Sequence, residues 1–401
     1  AMSTSLLYHA FNLKGIRYRS VRFSDGIVFK ARMTDQCLKC PECGYRQFIL
    51  KGVKTRRFLL SPMGRKHCRL DLEIHRAMCR RCKKIFWPKL PFMVGKHRYA
   101  RCFALTVLDL LKFATIKAVA QYLGVGWDLI KQIHKDKLNK RYKKIPLNKI
   151  KYLGIDEFSI KKNHNYMTIF IDLSSGRIVH AVEGKSKKAI LPFLGTLKRK
   201  AHQLKAIAMD MSHAYFWAVR EALPQVDIVF DHYHIAAIMN RAVDEVRREL
   251  YQQLDQQGKQ VLKGSRYLLL RNYDKLDDDH KGRIMEVLKI NTPLYTIHTM
   301  KEQLRLFWHC ETREKARGFI ETWCQDAMKT TIKPLKAVAK TLWLYRTGLL
   351  NYFSHPISNA MVEGIINKIK TLKRQAYGFR DMTYFKLRLY HLHDQRYSLT
   401  R

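Results

Sequence analysis

Acidic side chains are scarce in this chain of 401 residues: 33 Asp and Glu stand against 76 Lys and Arg, and the formal net charge is +43. Long apolar runs are missing too, because no stretch of 18 residues is apolar and no leader with a charged start and an apolar centre is visible. These absences speak against membrane insertion and secretion. Hydrophobic residues nevertheless form 47% of the chain. That content supports a sizeable folded core and excludes disordered and fibrous classes of protein.

The excess of positive charge predicts a polyanionic partner, and nucleic acid is the commonest one. Residues 1–150 carry 34 basic and 8 acidic side chains, whereas residues 151–401 carry 42 and 25. We therefore expect the N-terminal third to make most of the contacts with phosphates. A membrane surface is the alternative, but basic membrane-binding proteins usually concentrate their charge on one amphipathic segment.

Nine cysteines are present, and six of them lie between positions 37 and 82. An odd number without a visible leader argues against a framework of disulfides. Two pairs have the spacing that lets both thiolates of a knuckle reach one tetrahedral ion. These pairs are Cys40-Pro-Glu-Cys43, followed by Gly44, and Cys79-Arg-Arg-Cys82. The sequence therefore predicts one zinc site with four cysteine ligands, which is structural because no coordination position stays open.

Two alternatives accompany this zinc site. Cys37 has the same spacing to Cys40 and competes as a ligand. Buried free thiols are the other possibility. The segment between the two knuckles is basic, and we expect Arg56 and Arg57 to contact a nucleic-acid backbone there.

Residues 99–140 show the periodicity of helices. A first helix is followed by a short second one at about Ile116–Tyr122, and a glycine turn leads to a third helix that starts near Trp127. Lys131 and Lys135 lie one turn apart on the third helix and could face one groove of DNA. This pattern predicts a helix-turn-helix. An ordinary three-helix packing module with a solvated lysine face is the alternative.

After residue 150 the pattern changes to short apolar runs in the order strand, strand, strand, helix, strand, helix, strand. Two antiparallel strands followed by alternating units predict a mixed sheet with helices on its faces. Three of the runs end in an acid, at Asp156, Asp210 and Asp231. If the strands of Asp156 and Asp210 are neighbours, the two carboxylates converge, and they repel unless a cation such as Mg²⁺ lies between them. The alternative for each aspartate is a helix N-cap.

A third carboxylate should come from a helix. Residues 355–370 predict one, with Ser358 as its N-cap. Its polar residues recur at i, i+4, i+8 and i+11 and form one stripe: Asn359, Glu363, Asn367 and Lys370. A glutamate among amides, followed by basic residues that include Lys373 and Arg374, suits a metal ligand beside a track of phosphates. A solvent-exposed helix face is the alternative.

Three neighbours of these acids need their own interpretation. Asp231 and His234 form a D-x-x-H pattern after the last strand. They assist the site by orienting a phosphate or a DNA strand, or else His234 is a packed, hydrogen-bonded core histidine. Glu157 follows Asp156 on a strand and should point to the opposite face, so we do not expect it to be a ligand.

The ordered set of motifs resembles the DDE transposases of bacterial insertion sequences, specifically the ISL3 group, over nearly the whole chain. Any one motif is weak, but together they are specific. Beside the two cysteine knuckles the matches are Gly154-Ile-Asp156-Glu157, Met209-Asp210-Met211-Ser212, Phe230-Asp231-His232-Tyr233-His234, Ser358-Asn359-x-x-x-Glu363-Gly364-x-x-Asn367-x-x-Lys370 and Lys373-Arg374-x-Ala376-Tyr377-Gly378-Phe379-Arg380.

The resemblance implies a ribonuclease H-like core in which Asp156, Asp210 and Glu363 hold two Mg²⁺ or Mn²⁺ ions. All three acids are present, so it also implies an active enzyme. The fold we expect is multidomain α+β. Its parts are a β-rich zinc ribbon at 1–95, a helix-turn-helix at 96–148, a mixed α/β core at 149–240 and 351–401, and an all-helical insertion at 241–350 that interrupts the core.

The function that the resemblance implies is that of a DNA transposase, which binds inverted-repeat ends and performs metal-dependent cleavage and strand transfer. We expect DNA contacts at Arg56, Arg57, Lys131, Lys135, Lys370, Lys373 and Arg374. The expected partners are double-stranded DNA and a second copy of the chain, without a membrane, in the bacterial cytoplasm on the nucleoid. Two rivals remain: a zinc-ribbon and helix-turn-helix regulator without catalysis, and a ribonuclease H-like nuclease without strand transfer.

Overall fold

The computed structural model describes residues 6–35, 38–93, 97–161, 165–289 and 291–394. They divide into two compact units. The first is formed by the described residues up to Lys143, together with Asp394, and the second by those of Lys144–His393. No helix in the described ranges is long and apolar enough to cross a membrane.

A mixed five-stranded sheet follows the short helix α1 (Leu6–Phe11) in the first unit. Its strands are β1 (Ile16–Phe23), β2 (Ile27–Met33), β3 (Phe48–Met63), β4 (Lys66–Cys79) and β5 (Ile85–Phe86). Their order is β1-β2-β4-β3, with β5 paired to β4. Phe29, Phe58, Leu70 and Leu72 are buried against α1 and the loops, so the unit has an apolar core of its own.

Three helices complete the first unit: α2 (Arg101–Leu110), α3 (Ile116–Tyr122) and α4 (Trp127–Arg141). They lie where the sequence predicts them. Thr115 caps α3 by accepting a hydrogen bond of 3.2 Å from the amide of Ala118. The turn between α3 and α4 contains Gly124 at φ +60°, a left-handed conformation that favours glycine.

The second unit contains the predicted mixed sheet with helices on its faces. Its strands are β6 (Tyr152–Lys161), β7 (Asn165–Asp172), β8 (Arg177–Glu183), β9 (Ala206–Met209) and β10 (Asp227–Phe230). Their order is β10-β9-β6-β7-β8. β10, β9 and β6 are parallel, whereas β7 is antiparallel to both β6 and β8. All four residues of β9 are buried, as a strand with both faces covered requires.

Helices cover both faces of this sheet. On one face α5 (Lys187–Lys200) and α6 (His213–Ala222) pack in a core with Leu153 and Ile155 of β6. On the other face lie α14 (Ala360–Gln375) and α15 (Met382–His391). α14 buries residues at helical spacing, namely Val362, Ile365, Ile366, Ile369 and Leu372. It lies directly on β6, because a Cβ added at Gly154 would be 2.6 Å from Cγ2 of Val362.

The segment between β10 and α14 is helical, as expected. Its helices are α7 (His232–Gln253), α8 (Gln256–Leu262), α9 (Arg266–Leu270), α10 (Asp278–Lys289), α11 (Thr292–Leu306), α12 (Arg313–Lys329) and α13 (Lys333–Leu350). The boundary placed at 240 falls inside α7, which is continuous because its buried stripe runs on from Ile235 through Val243 to Leu250. The core and the helical segment therefore share one helix.

Candidate active site and metal centre

Three aspartates stand in a row across three neighbouring strands. The register pairs Ile155 of β6 with Met209 of β9, and Met209 with Phe230 of β10. The next residue in the chain is Asp156 within β6, Asp210 directly after β9 and Asp231 directly after β10. The strands of Asp156 and Asp210 are thus neighbours, as their convergence requires. One expectation is corrected: β6 does not end at Asp156 but runs on to Lys161, because β7 continues to pair with it beyond the last residue of β9.

Strand alternation directs these aspartates toward α14. The residues that precede them, Ile155, Met209 and Phe230, belong to the core on the opposite face. Within β6, Asp156 shares its face with Gly154, which meets α14, and with Phe158, which packs in the α14 core. Glu157 points the other way, as alternation predicts, and Oε2 of its carboxylate accepts a hydrogen bond of 2.7 Å from the hydroxyl of Tyr215.

The aspartate row is a crowded cluster of partly buried like charges. Burial raises the pKa of Asp156 to about 7, with further contributions from Asp210, Glu157 and Asp231, while the amide of Glu157 opposes the rise. Burial also raises the pKa of Asp210 and that of Asp231. Such carboxylates resist ionising together in a partly dry site. A hard divalent cation removes that repulsion by taking their oxygens as ligands, so the donor set fits Mg²⁺ or Mn²⁺.

Hydrogen bonds and helix starts show which of the three aspartates are N-caps, and one histidine lies beside the row. Asp231 does cap α7, since it accepts a hydrogen bond of 3.3 Å from the amide of Tyr233. Asp210 is not a cap, because Ser212 holds the N-cap position of α6, and Asp156 precedes no helix. Nδ1 of His234 lies 3.3 Å from Oδ2 of Asp210, so the histidine faces the row and is only partly buried.

Glu363 lies in the first turn of α14, at the surface. The N-cap is Asn359 and not Ser358, because the helix begins one residue later than expected. Glu363 is near enough to Asp231 for its charge to raise the pKa of that carboxyl. The carboxylates of Asp156, Asp210 and Glu363 do not form a tight group, however: in the described part of the chain, only the cysteines bring at least three ligand atoms within 4.8 Å of one another.

The polar stripe on α14 divides into a buried and an exposed part. Asn359 is buried, whereas Glu363, Asn367 and Lys370 are exposed, as is Arg374. Lys373 is partly buried, and its Nζ donates a hydrogen bond to the carbonyl of Ser159. Only part of the predicted track of phosphate contacts therefore lies open to solvent.

Four cysteines meet in the first unit at the spacing of a zinc site. The Sγ atoms of Cys40 and Cys82 are 3.6 Å apart, those of Cys43 and Cys79 are 3.5 Å apart, and those of Cys43 and Cys82 are 3.6 Å apart. Four thiolates around one zinc ion, at Zn–S distances of about 2.3 Å, would be separated by roughly 3.8 Å. The four residues fit the metal. Cys37, the competing ligand, lies outside the described residues.

The two knuckles of the cysteine site have the same backbone. In the first, the amide of Gly44 donates to the carbonyl of Cys40 at 3.1 Å, and in the second the amide of Lys83 donates to that of Cys79 at 3.0 Å. Gly44 and Lys83 both have a left-handed backbone, at φ 71° and 59°. The amide of Cys43 helps to lower the pKa of the Cys40 thiol to about 7. A turn that directs amides at sulfur therefore prepares a thiolate for a cation.

The basic residues predicted for DNA have partners that the sequence pattern does not show. Arg57 forms a two-pronged ion pair with Asp71, at 2.7 and 2.8 Å, and Arg56 lies over the ring of Phe58. Lys131 lies over the exposed ring of Trp127. Arg57 and Asp71 are directly opposite in the β3–β4 pairing. Only the register of that hairpin could have revealed the ion pair.

Residues 153–389, more than half of the chain, match the model of a family described as "Transposase", the ISL3 type of DDE transposase. The chain is 32% identical over 363 residues to the transposase for insertion sequence element IS1001 of Bordetella parapertussis, and the match covers 89% of each chain. It is 26% identical over 399 residues to the transposase for IS1557 of Mycobacterium tuberculosis, covering 92% of this chain and 89% of that one. The Drosophila P element transposase strand transfer complex is similar at a TM-score of 0.42 and 10% identity, over 76% of this chain and 94% of that one.

Proposed function

The chain belongs to the ISL3 group of DDE transposases, and from this premise we propose that it cuts and joins DNA at the inverted-repeat ends of an insertion sequence, with Asp156, Asp210 and Glu363 as ligands of two divalent cations. The observation that carries the proposal is the row of aspartates beneath the first turn of α14. The strand order β10-β9-β6-β7-β8, with the parallel strands on one side, supports the ribonuclease H-like fold that the motifs imply.

The reaction is a phosphoryl transfer in two steps. In cleavage a water oxygen bonds to phosphorus and the bond from phosphorus to the 3′ oxygen breaks, which leaves a 3′-hydroxyl on the element. In joining that hydroxyl takes the place of water and displaces a 3′ oxygen of the target strand. Mg²⁺ or Mn²⁺, when bound, supplies the charge neutralisation and nucleophile activation that these steps need.

Each residue of the site is assigned a role in this reaction from its position. Asp156 and Asp210 converge from adjacent strands and would hold the cations, which would neutralise charge on the reacting phosphate. Glu363 approaches from the other side, on α14. Nδ1 of His234 lies 3.3 Å from Oδ2 of Asp210, and we assign it the role of orienting that carboxylate. No side chain has to become a covalent nucleophile.

The first unit supplies affinity in this proposal. A zinc-held sheet and a helix-turn-helix bind the repeats, and basic side chains contact the backbone phosphates. Arg56, Lys131 and Lys135 are assigned to these contacts, with Lys370, Lys373 and Arg374 beside the catalytic centre. Arg57 takes part only if DNA competes with Asp71 for its guanidinium. Two ends must be joined in one event, so we assign the active form to a dimer on double-stranded DNA.

Purified protein, loaded with zinc, tests the proposal on labelled DNA that contains the flanking inverted repeat. We expect cutting at the repeat boundary in Mg²⁺ and none in EDTA. The Asp210→Asn protein should shift the same DNA in a gel with unchanged affinity but cut it at least about 100-fold more slowly, because it loses a charged ligand. Asp326→Asn, a surface substitution on α12, is the matched control and should cut normally.

The outcomes separate the rival functions. Binding without cutting in Mg²⁺ and in Mn²⁺ would favour a regulator without catalysis. Cutting without joining of the 3′-hydroxyl end to a second duplex would favour a nuclease. Cutting that persists in Asp210→Asn would remove that aspartate from the proposed metal site.

A further inference from the structure

One buried side chain beside the aspartate row has no hydrogen bond of normal geometry. Asn359 is 4% exposed, and neither its Nδ2 nor its Oδ1 has a partner. In the described part of the chain it is the only residue with two unpaired buried side-chain atoms. Buried polar atoms are nearly always paired, because an unpaired one has lost its water without compensation. The amide of Asn359 therefore has donor and acceptor capacity left for a partner from outside the protein.

The place of Asn359 shows what such a partner would be. Burial raises the pKa of Asp210, and a hydrogen-bonding interaction with the amide of Asn359 opposes that rise, although the two side chains do not meet the geometry of a full hydrogen bond. Glu363 is one turn further along α14, and its amide donates to the carbonyl of Asn359 at 2.9 Å. Asn359 thus lies near Asp210 and one helical turn from the proposed third carboxylate.

The start of α14 adds a preference for negative charge. Asn359 occupies the N-cap position, but its side chain does not cap the helix. The first amides of the helix are consequently left for another acceptor, at the positive end of the helix dipole. Donor groups favour an anion here, whereas the adjacent carboxylates favour a cation. A phosphodiester that arrives with bound cations satisfies both requirements.

We propose that Nδ2 of Asn359 donates a hydrogen bond to a non-bridging oxygen of the scissile phosphodiester, with the first amides of α14 behind it. This assignment rests on the proposed function, because the phosphate is the one that the aspartate row would hold. It makes Asn359 a substrate-contacting residue that the metal triad does not include. The contact matters most when charge on the phosphoryl oxygens is redistributed in the transition state.

A second buried asparagine of the same unit provides a matched comparison. Asn351 is 1% exposed, but its side chain is fully occupied. Its Nδ2 donates to Oδ1 of Asp227 at 3.2 Å and to the carbonyl of Ile228 at 3.0 Å, and its Oδ1 accepts from Arg313 at 3.0 Å. Asn351 is therefore a structural asparagine, and its removal leaves buried partners unpaired.

The experiment compares Asn359→Ala, Asn359→Asp and Asn351→Ala in the full-length, zinc-loaded protein. Three quantities are measured for each: Tm without DNA, affinity for repeat-end DNA in EDTA, and the rate of cutting in Mg²⁺ at saturating DNA. Asn359→Ala should keep Tm at or above that of the unsubstituted protein, keep its affinity for DNA, and cut about 100-fold more slowly, the loss typical of one donor to a developing oxyanion. Asn359→Asp keeps the size but replaces the donor with an anion, so it should cut at least as slowly.

Asn351→Ala should show the opposite pattern, a Tm lower by several degrees with nearly normal cutting well below that temperature. A Tm of Asn359→Ala that falls as far as that of Asn351→Ala would overturn the assignment in favour of a structural role. Unimpaired cutting by Asn359→Ala, in a protein whose unsubstituted form cuts, would overturn it as well. Failure of the unsubstituted protein to cut would instead contradict the proposed function.

Discussion

Asp231 is the residue at which an observed structural role and a proposed chemical role coincide. It caps α7 through the amide of Tyr233, and it stands in the row with Asp156 and Asp210. Its side chain is 11% exposed, and its charge helps to raise the pKa of both other aspartates. An N-cap needs only an oxygen acceptor, whereas a cation site needs negative charge. The two roles can therefore be separated by one substitution.

Asp231→Asn should preserve stability and impair chemistry. Asparagine caps a helix as well as aspartate does, so the free energy of unfolding should change by less than about 0.5 kcal/mol. Loss of the charge should weaken Mn²⁺ binding and cutting by about 10–100-fold, as substitutions next to metal ligands do. Titration calorimetry with Mn²⁺ and a cutting assay provide the two measurements.

Asp255→Asn is the control for this substitution. Asp255 caps α8 in the same manner, by accepting a hydrogen bond of 2.8 Å from the amide of Gly258. It should leave both stability and cutting unchanged. If Asp231→Asn behaves like Asp255→Asn in every assay, Asp231 is a cap and nothing more.

At the scale of elements, the contact between β6 and α14 brings Glu363 toward the aspartates. Gly154 has no side chain, and Val362 fills the space that a Cβ would need. At the far end of the contact Lys373 holds the carbonyl of Ser159. The helix therefore lies along the strand from Gly154 to Ser159, with Asp156 between these points. The close approach of Val362 to the backbone of Gly154, and not the polar stripe, sets the distance between α14 and the sheet.

Gly154→Ala should push α14 away from β6. The added carbon would lie 2.6 Å from Val362 and 3.0 Å from Leu173, and overpacking of this kind costs about 1–3 kcal/mol of stability. Cutting should fall as well, because Glu363 moves with the helix. Urea unfolding and the cutting assay measure the two effects.

Removing the obstructing methyl groups should repair part of this damage. The double variant Gly154→Ala/Val362→Ala should lose less free energy of unfolding than the two single variants lose together. We expect a difference of at least about 0.5 kcal/mol, since the residues are in contact. Additive effects in this cycle would show that the two residues do not constrain each other. The predicted displacement of α14 from β6 would then be wrong.

At the scale of the whole molecule, the chain consists of two compact units with separate cores. The cysteine site belongs to the first, and the aspartate row to the second. In the proposed function the first unit holds a structural zinc ion, whereas the second holds the catalytic cations. Binding and chemistry are correspondingly assigned to different units in the proposed function.

Cys43→Ser should affect the first unit alone. It should release zinc and lower the first thermal transition, because a structural zinc ion contributes up to about 10–16 kcal/mol to the folding of its domain. DNA affinity should fall with it, while the transition of the second unit stays in place. Zinc content by absorption spectroscopy and calorimetric unfolding are the measurements.

Cys102→Ser is the matched substitution in the same unit. Cys102 is a partly buried free thiol outside the group of four, so its replacement should leave the zinc content unchanged. Equal zinc content in the Cys43→Ser protein would show that the four cysteines are not the ligands. A single shared transition would contradict the independence of the two units.

Local chemistry allowed much of this protein to be predicted from its sequence. The spacing of Cys40, Cys43, Cys79 and Cys82 predicted a group that the structure brings together. The periodicity of 99–140 placed three helices correctly, and apolar runs that end in acids predicted the strands of the second sheet. Strand alternation sufficed to turn Glu157 away from Asp156. Each of these inferences uses patterns within a few residues, except that the cysteine site also joins two knuckles whose members lie 36 to 42 positions apart.

Tertiary structure alone decided the rest, because it depends on which distant segments meet. Strand register set the three aspartates side by side, and the longer partner β7 carried β6 past Asp156. Packing of α14 on Gly154 buried Asn359 and left Glu363 exposed, although both belong to one stripe in the sequence. The sequence thus determined which groups this transposase has available. Contacts between residues more than 200 positions apart, such as Gly154 with Val362 and Ser159 with Lys373, determined which of those groups lose their water.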